Sequence, residues 1–381
     1  MTTIIDPVAT PPAIVKLLES FDVGHRAALA RAISIVENHR DGFDGLLAAL
    51  HSRLGRARRI GITGPPGAGK STCTTALVEA MRADGLTVAV VAVDPTSPFT
   101  GGALLGDRIR MERVALDPGV YIRSMATRGS LGGLAAATRE TCDVLDAYGF
   151  DRIIIETVGV GQSELDVART ADTSVVILVP ESGDSIQMLK AGIMEIADLF
   201  VVNKSDRPGA DRLRGDIELM LGMRMGDSMR GVPAHHGVDL RKLGDVERET
   251  AKKASAPARA ARDASADPHA DPHAVGGWVP AVVNTVAADG RGIPELLAAI
   301  TRHFEYLEAS GELAERRRSR MRERIVEVAE DRLRRRLWSD PGTQAFLDLA
   351  LPALERGEVT PFAIADALLA RSATLMAGPT T

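Results

Sequence analysis

From Gly61 to Thr72 the chain reads Gly-Ile-Thr-Gly-Pro-Pro-Gly-Ala-Gly-Lys-Ser-Thr. Within it, Gly64 to Ser71 has the spacing G-x-x-x-x-G-K-S, which makes a phosphate cradle when it lies between a strand and a helix. Gly64, Gly67 and Gly69 let backbone N–H groups turn toward phosphate oxygens, with Pro65, Pro66 and Ala68 between them. The helix that begins at the end of the loop adds its positive pole. Lys70 would reach the β and γ phosphates and the Ser71 hydroxyl would ligate Mg²⁺, so the run from Gly64 through Thr72 is a nucleotide-binding segment.

Three further stretches could complete that chemistry. A strand ending in Glu156-Thr-Val-Gly159 supplies an acid and, three residues on, a glycine. Glu156 would hold Mg²⁺ directly or through water, and the Gly159 N–H would sense the γ-phosphate. Asp94 closes an apolar run and Asp107 follows in a Gly-rich stretch. Acids at the carboxyl ends of strands face the ligand crevice of an open α/β sheet, so both are candidates for the Mg²⁺ shell and a switch loop, the alternatives being a capping Asp94 and a helix-initiating Asp107. Asn203-Lys204-Ser205-Asp206 has the N-K-x-D spacing. A carboxylate at Asp206 can accept from guanine N1–H and its 2-amino group, donors that adenine lacks there, and sites built on such pairing discriminate strongly. Asn203 would hold the loop and touch the base, and the Lys204 stem would lie along it. Backbone N–H groups at Thr285-Val286-Ala287 would hold guanine O6. Val160 stands just after Gly159, where small GTPases place a water-orienting glutamine, and Gln162 is two residues further on. Slow unaided hydrolysis is expected, with Arg108 and Arg128 as candidates for stabilising charge in cis.

The elements that must position these residues read as α/β. Apolar, β-branched runs at Arg58–Thr63, Thr87–Val93, Arg152–Ile155, Thr173–Val179, from Leu199, and Ala281–Thr285 suit the interior of a parallel sheet, with Tyr121–Arg123 as a shorter strand. Helical spacing spans Thr72–Arg82, Leu134–Tyr148, Arg207–Met225 and Gly292–Leu307. Residues 12–55 are also helical, with Leu29, Ile33 and Val36 on one face, followed by Phe43, Leu46, Leu47, Leu50 and Leu54. The expected fold is a P-loop NTPase, a mostly parallel sheet flanked by helices, with an N-terminal helical extension over 1–56, the nucleotide-binding domain over 57–307 and a C-terminal helical arm over 308–381. Residues 250–277 change to Ala, Lys, Arg, Asp, Pro and His with a repeated Asp-Pro-His-Ala. That composition cannot build a core and reads as a flexible insertion in which His269 and His273 are solvated.

The 381 residues have a net charge of −5, which argues against bulk nucleic-acid binding. Two cysteines, Cys73 and Cys142, make no disulfide framework and fit a reducing cytoplasm. The N-terminus lacks a basic region before an apolar core, and no apolar run approaches the roughly 20 residues of a membrane span. In the arm, Met321, Ile325, Ala329, Leu333 and Leu337 form an apolar stripe. Arginines crowd the same helix, but Glu315, Glu323, Glu327, Glu330 and Asp331 interleave with them, which reads as a solvated face with ion pairs rather than an RNA platform. The stripe serves either dimerisation or packing on the chain's own domain.

Taken together, these stretches resemble the MeaB type of GTPase, bacterial relatives of the methylmalonic aciduria type A protein, some once labelled ArgK as kinases of a lysine/arginine/ornithine transport system. The resemblance is carried by residues 64–71, Val-Asp-Pro-Thr-Ser-Pro at 93–98, Thr-Gly-Gly-Ala-Leu-Leu-Gly-Asp-Arg-Ile-Arg-Met at 100–111, Glu-Thr-Val-Gly-Val-Gly-Gln-Ser at 156–163, residues 203–206 and Trp-Val-Pro at 278–280. It implies a homodimeric GTPase that chaperones an adenosylcobalamin-dependent methylmalonyl-CoA mutase, gating cofactor loading and protecting the mutase. It also implies that Asp94, Asp107 and Glu156 are switch and Mg²⁺ acids, and that a segment with Asp184 and Lys190 responds to the mutase. Where the family often has Ser-Ala, this chain has Val286-Ala287. The competing readings are a transport-system kinase and a metal-insertion GTPase.

Overall fold

The computed structural model describes residues 10–95, 111–127, 131–157, 167, 169–180, 194–224 and 277–376. Among them, seven strands form one sheet in the order β3-β2-β4-β1-β5-β6-β7, every pairing parallel. The strands are β1 (Arg58–Thr63), β2 (Val88–Pro95), β3 (Val120–Thr127), β4 (Arg152–Thr157), β5 (Thr173–Leu178), β6 (Leu199–Asn203) and β7 (Ala281–Thr285). Every residue of β5 and β6 is buried, as strands covered on both faces require.

Alternation along the strands divides the apolar side chains between three cores. Ile60, Ile62, Ile154, Val175 and Val201 pack against α4 (Lys70–Ala83), through Leu77, Val78 and Met81, and against α7 (Ile293–Ser310), through Leu296, Ile300 and Phe304. On the other face, Val91, Ile153 and Ile155 meet Val144 and Leu145 of α5 (Leu131–Tyr148). That same core takes in the N-terminal helices α1 (Pro12–Asp22), α2 (Arg26–Glu37) and α3 (Phe43–Leu50) through Phe21, Leu29, Ile33, Val36 and Leu46. The third core seats α6 (Ala210–Arg224) on Val176, Leu178, Phe200 and Val202.

At the strand starts, aspartates fix the chain by accepting backbone N–H groups. Asp146 takes those of Gly55, Arg56 and Ala57, Asp172 that of Arg59, Asp151 that of Thr87 and Asp198 that of Ser174, at 2.8–3.1 Å. His303 lies 2.9 Å from Thr173 Oγ1 through Nδ1 and 3.3 Å from Asp198 Oδ1 through Nε2, while Trp278 Nε1 donates to the Asp198 carbonyl at 2.7 Å. This threonine–histidine–aspartate group is a packing network. His303 is wholly buried, at the end of the sheet away from the loops that follow the strands.

Several elements differ in extent from the sequence expectation. β3 runs to Thr127 rather than Arg123, α5 begins at Leu131 rather than Leu134, and β4 runs one residue past the acid Glu156, to Thr157. Leu54 lies beyond α3, half-buried in a non-helical turn.

The chain divides into two compact units, residues 1–313 and 314–381. Helix α8 (Glu312–Ser339) has no buried residue, and Met321 and Ile325 on the expected stripe are 52% and 70% exposed. In the second unit α9 (Pro341–Glu355) is capped by Asp340, which accepts the Thr343 N–H at 2.8 Å. α10 (Pro361–Met376) sets Arg371 over the Phe346 ring. No described helix is long and apolar enough to cross a membrane.

Candidate functional site

Because the strands are parallel, β1, β2, β4, β6 and β7 all deliver their carboxyl ends to one edge of the sheet. The chain order reverses at β1 and β5: β2 and β4 lie to one side of β1, and β6 and β7 lie beyond β5. A crevice at such a reversal is where open α/β sheets bind ligands.

β1 turns into the phosphate loop at Gly64, whose φ is 142°. A Cβ there would lie 2.0 Å from the Ile177 carbonyl oxygen of β5, so only glycine fits. Gly69, at φ 85°, starts α4, and a Cβ on it would lie 2.5 Å from the Asn203 amide nitrogen. The loop is therefore left-handed where phosphate contact needs inward N–H groups, and α4 begins at Lys70 with its positive pole at the loop. Lys70 is nearly buried, and its ammonium donates to the carbonyls of Gly64 at 2.8 Å and Pro65 at 3.0 Å. Pro65 and Ala68 are buried, whereas Pro66, Gly67 and Thr72 are exposed.

Ser71 and Glu156 meet across the first turn of α4. The Ser71 hydroxyl donates to Glu156 Oε1 at 2.5 Å, and Glu156 is buried at the end of β4. Two convergent oxygen donors beside the phosphate loop are the chemistry that a hard divalent cation takes, so these residues fit Mg²⁺. The carboxylate also acts on its neighbour. Burial first, and the charge of Glu156 second, push the Cys73 thiol up to about 12. Asp94 lies in β2 two residues past Ala92, the register partner of Glu156. Asp107 and Gly159 lie outside the described residues, as do Arg108, Arg128, Val160, Gln162, Asp184, Lys190, His269 and His273.

The loop that carries Asp206 is tied to the phosphate loop by two side chains. Asn203 Nδ2 donates to the Ala68 carbonyl at 2.8 Å, and Lys204 Nζ to the Gly67 carbonyl at 2.9 Å. Asn203 Oδ1 accepts from Thr285 Oγ1 and from the Ala287 N–H, both at 3.1 Å. Lys204 adopts a left-handed φ of 54°, and the Ser205 N–H bonds the Thr285 carbonyl at 3.0 Å. This turn brings Asp206 to the surface, where its carboxylate is exposed.

The N–H groups of Val286 and Ala287, assigned to guanine O6, have protein acceptors here. That of Val286 donates to the Arg291 carbonyl at 3.0 Å and that of Ala287 to Asn203. In this arrangement they brace the loop that carries Asp206. Sequence reasoning also missed the side-chain role of Thr285; its signal is its place opposite Asn203 in the β6–β7 register. Nor did it foresee a buried hydroxyl bond between Thr63 and Thr157.

Residues 29–342 match the family model described as methylmalonyl Co-A mutase-associated GTPase MeaB. A Pyrococcus horikoshii protein named as a GTPase is 42% identical over 354 residues, covering 93% of this chain and 96% of its own. The mitochondrial methylmalonic aciduria type A homolog of Mus musculus is 32% identical over 360 residues, 91% of this chain and 76% of that protein. Among solved structures, one of a protein named LAO/AO transport system kinase superposes with a TM-score of 0.59 at 25% identity, covering 95% of this chain and 98% of that one.

Proposed function

This chain belongs to the MeaB family of methylmalonyl-CoA mutase-associated GTPases, and from that premise we propose that it is a Mg²⁺-dependent chaperone of an adenosylcobalamin-dependent methylmalonyl-CoA mutase. In this reading GTP hydrolysis gates cofactor loading and protects the mutase. The observation that carries the guanine-nucleotide part is the pair of ties from Asn203 and Lys204 to the phosphate loop, which hold the base-reading carboxylate and the phosphate cradle in one frame.

In the mechanism, the loop N–H groups and Lys70 bind the phosphates, Lys70 exchanging its carbonyl acceptors for phosphate oxygens. Ser71 and Glu156 would hold Mg²⁺, which supplies neutralisation of the charge on the β and γ phosphates. Asp94 and Asp107 are the remaining candidates for that shell. Asp206 selects guanine, and Gly159 senses the γ-phosphate. Catalysis is positioning and charge stabilisation, and the mutase completes it by ordering the switch residues. Pairing of two copies through the exposed apolar residues of α8 belongs to the same reading. Ile325→Glu is expected to halve the mass measured by light scattering, and an unchanged mass would exclude that stripe.

The deciding experiment is phosphate release from GTP and ATP, each with and without the methylmalonyl-CoA mutase of the same organism. The expected result is slow GTP turnover that the mutase accelerates, with ATP inert. GTP turnover indifferent to the mutase would leave a GTPase with another client. The likeness to a solved LAO/AO transport system kinase motivates a second reading, as a kinase of that kind. Transfer of labelled phosphate from ATP to a solute-binding protein would support it.

A further inference from the structure

Thr63 and Thr157 are each 1% exposed, and the Thr157 hydroxyl donates to Thr63 Oγ1 at 3.1 Å. The bond lies where the β1–β4 ladder stops. The last paired residues are Ile62 and Glu156, and one residue further on β1 gives way to the phosphate loop at Gly64. Ile62 and Glu156 face α4, so by strand alternation Thr63 and Thr157 lie on the opposite face of the sheet. The hydroxyl bridge thus holds the two strands together one residue past their last backbone pair. Its immediate neighbours are Gly64, whose carbonyl receives Lys70, and Glu156, whose carboxylate receives Ser71.

Packing alone gives little reason for these hydroxyls. Both sites are sealed from water, and valine has nearly the same shape without a polar atom to satisfy. Strands β1 and β4 use isoleucine at Ile60, Ile62, Ile153, Ile154 and Ile155, and turn to threonine only at this last position on each strand. A directed bond fixes the spacing of two neighbouring chains in a way that an apolar contact does not.

We propose that the Thr63–Thr157 bridge is a positioning device for hydrolysis, setting the distance between the phosphate loop and Glu156, with Thr157 as a positioning residue that acts through Glu156. The proposal rests on the reading of Glu156 as an acid of the hydrolysis site.

The test measures steady-state GTP turnover and GDP binding on the full chain and on Thr157→Val, Thr63→Val, the double variant and Thr157→Ser. Small misplacements of reacting groups are costly, so each valine variant is expected to lose about tenfold or more in kcat. KM and GDP affinity are expected to stay within about threefold, because ground-state binding is untouched. The double variant falls no further than either single one, since all three remove the same bond. Thr157→Ser restores the hydroxyl and returns kcat to within about threefold of the parent. Wild-type kcat in Thr157→Val overturns the proposal; so does an additive loss in the double variant, or a serine variant that fails to recover. Thr63→Val removes the bond from the other strand and decides the question if Thr157→Val does not fold. Glu156→Gln in the same assay separates the two readings. An impaired Glu156→Gln beside a fully active Thr157→Val refutes the bridge alone, and a fully active Glu156→Gln refutes the acid it serves.

Discussion

The side-chain amide of Asn203 donates to the carbonyl of Ala68 at 2.8 Å, joining residues 135 positions apart, and its oxygen accepts from Thr285 and Ala287. One buried side chain therefore holds the phosphate loop, the turn that carries Asp206 and the end of β7 together. Asn203→Ala would strand the Ala68 carbonyl, the Thr285 hydroxyl and the Ala287 N–H. The expected cost is about 2–4 kcal/mol in denaturant unfolding, with at least about tenfold weaker guanine-nucleotide binding. Thr285→Val removes a single bond and is expected to cost about 1 kcal/mol. Equal losses in the two variants would contradict a hub at Asn203.

Asp206 follows from that frame. It is exposed at the tip of the turn that Lys204, with its left-handed φ of 54°, and the Ser205–Thr285 bond create, free to meet a base from solvent. Asp206→Asn replaces an acceptor with an amide that clashes electrostatically with the guanine 2-amino group but pairs with the 2-oxo group of xanthine. Competition binding is expected to show GTP weakened by about a hundredfold or more and xanthosine triphosphate gaining by a similar ratio. Retained GTP preference would move base selection away from Asp206.

Ser71 and Glu156 supply a second pair of expected outcomes. The 2.5 Å hydroxyl–carboxylate bond places both oxygens where a divalent cation would take them. Ser71→Ala and Glu156→Gln are each expected to raise the Mg²⁺ concentration at half-maximal GTP turnover by about tenfold and to lower kcat by about a hundredfold. GDP binding without Mg²⁺ stays near the parent value. An unchanged Mg²⁺ midpoint in Glu156→Gln would remove that residue from the cation's shell.

What the sequence made legible divides by distance along the chain. The phosphate loop and the Asn203–Asp206 turn are local patterns, and the first lies between β1 and α4 while the second closes β6. Strand β7 begins at Ala281 and ends at Thr285 as the apolar run suggests. The far end of β3 was hidden because Arg123-Ser-Met-Ala-Thr has no clean alternation. Its pairing with β2, from Val88–Val120 through Pro95–Thr127, extends it instead. The helix that starts at Leu131 contains Gly132 and Gly133, although glycine is a poor helix former. At α6 the reverse happened. Gly209 sits at φ 90°, so the helix expected from Arg207 begins only at Ala210. The side-chain roles of Thr285, Thr63 and Thr157 went unread because each bonds a residue 82 or 94 positions away.

Burial first pushes the Cys73 and Cys142 thiols up to about 12, from a reference value of 9.0. At pH 8 both are neutral in the folded protein, and the thiolate is the reactive form. Alkylation by iodoacetamide is therefore expected only after denaturation, whatever nucleotide is bound. Between pH 9 and 12 the unfolded thiols lose protons that the folded ones keep. The native state then binds more protons than the unfolded state, and stability falls as pH rises. The loss is about 1.4 kcal/mol for each thiol and each pH unit above the unfolded value. A variant with Cys73→Ala and Cys142→Ala is expected to show a flatter decline in urea midpoint across that range. The same slope in parent and variant would assign the alkaline loss to other groups, and rapid labelling of native Cys73 would mean that the first turns of α4 open on the timescale of the reaction.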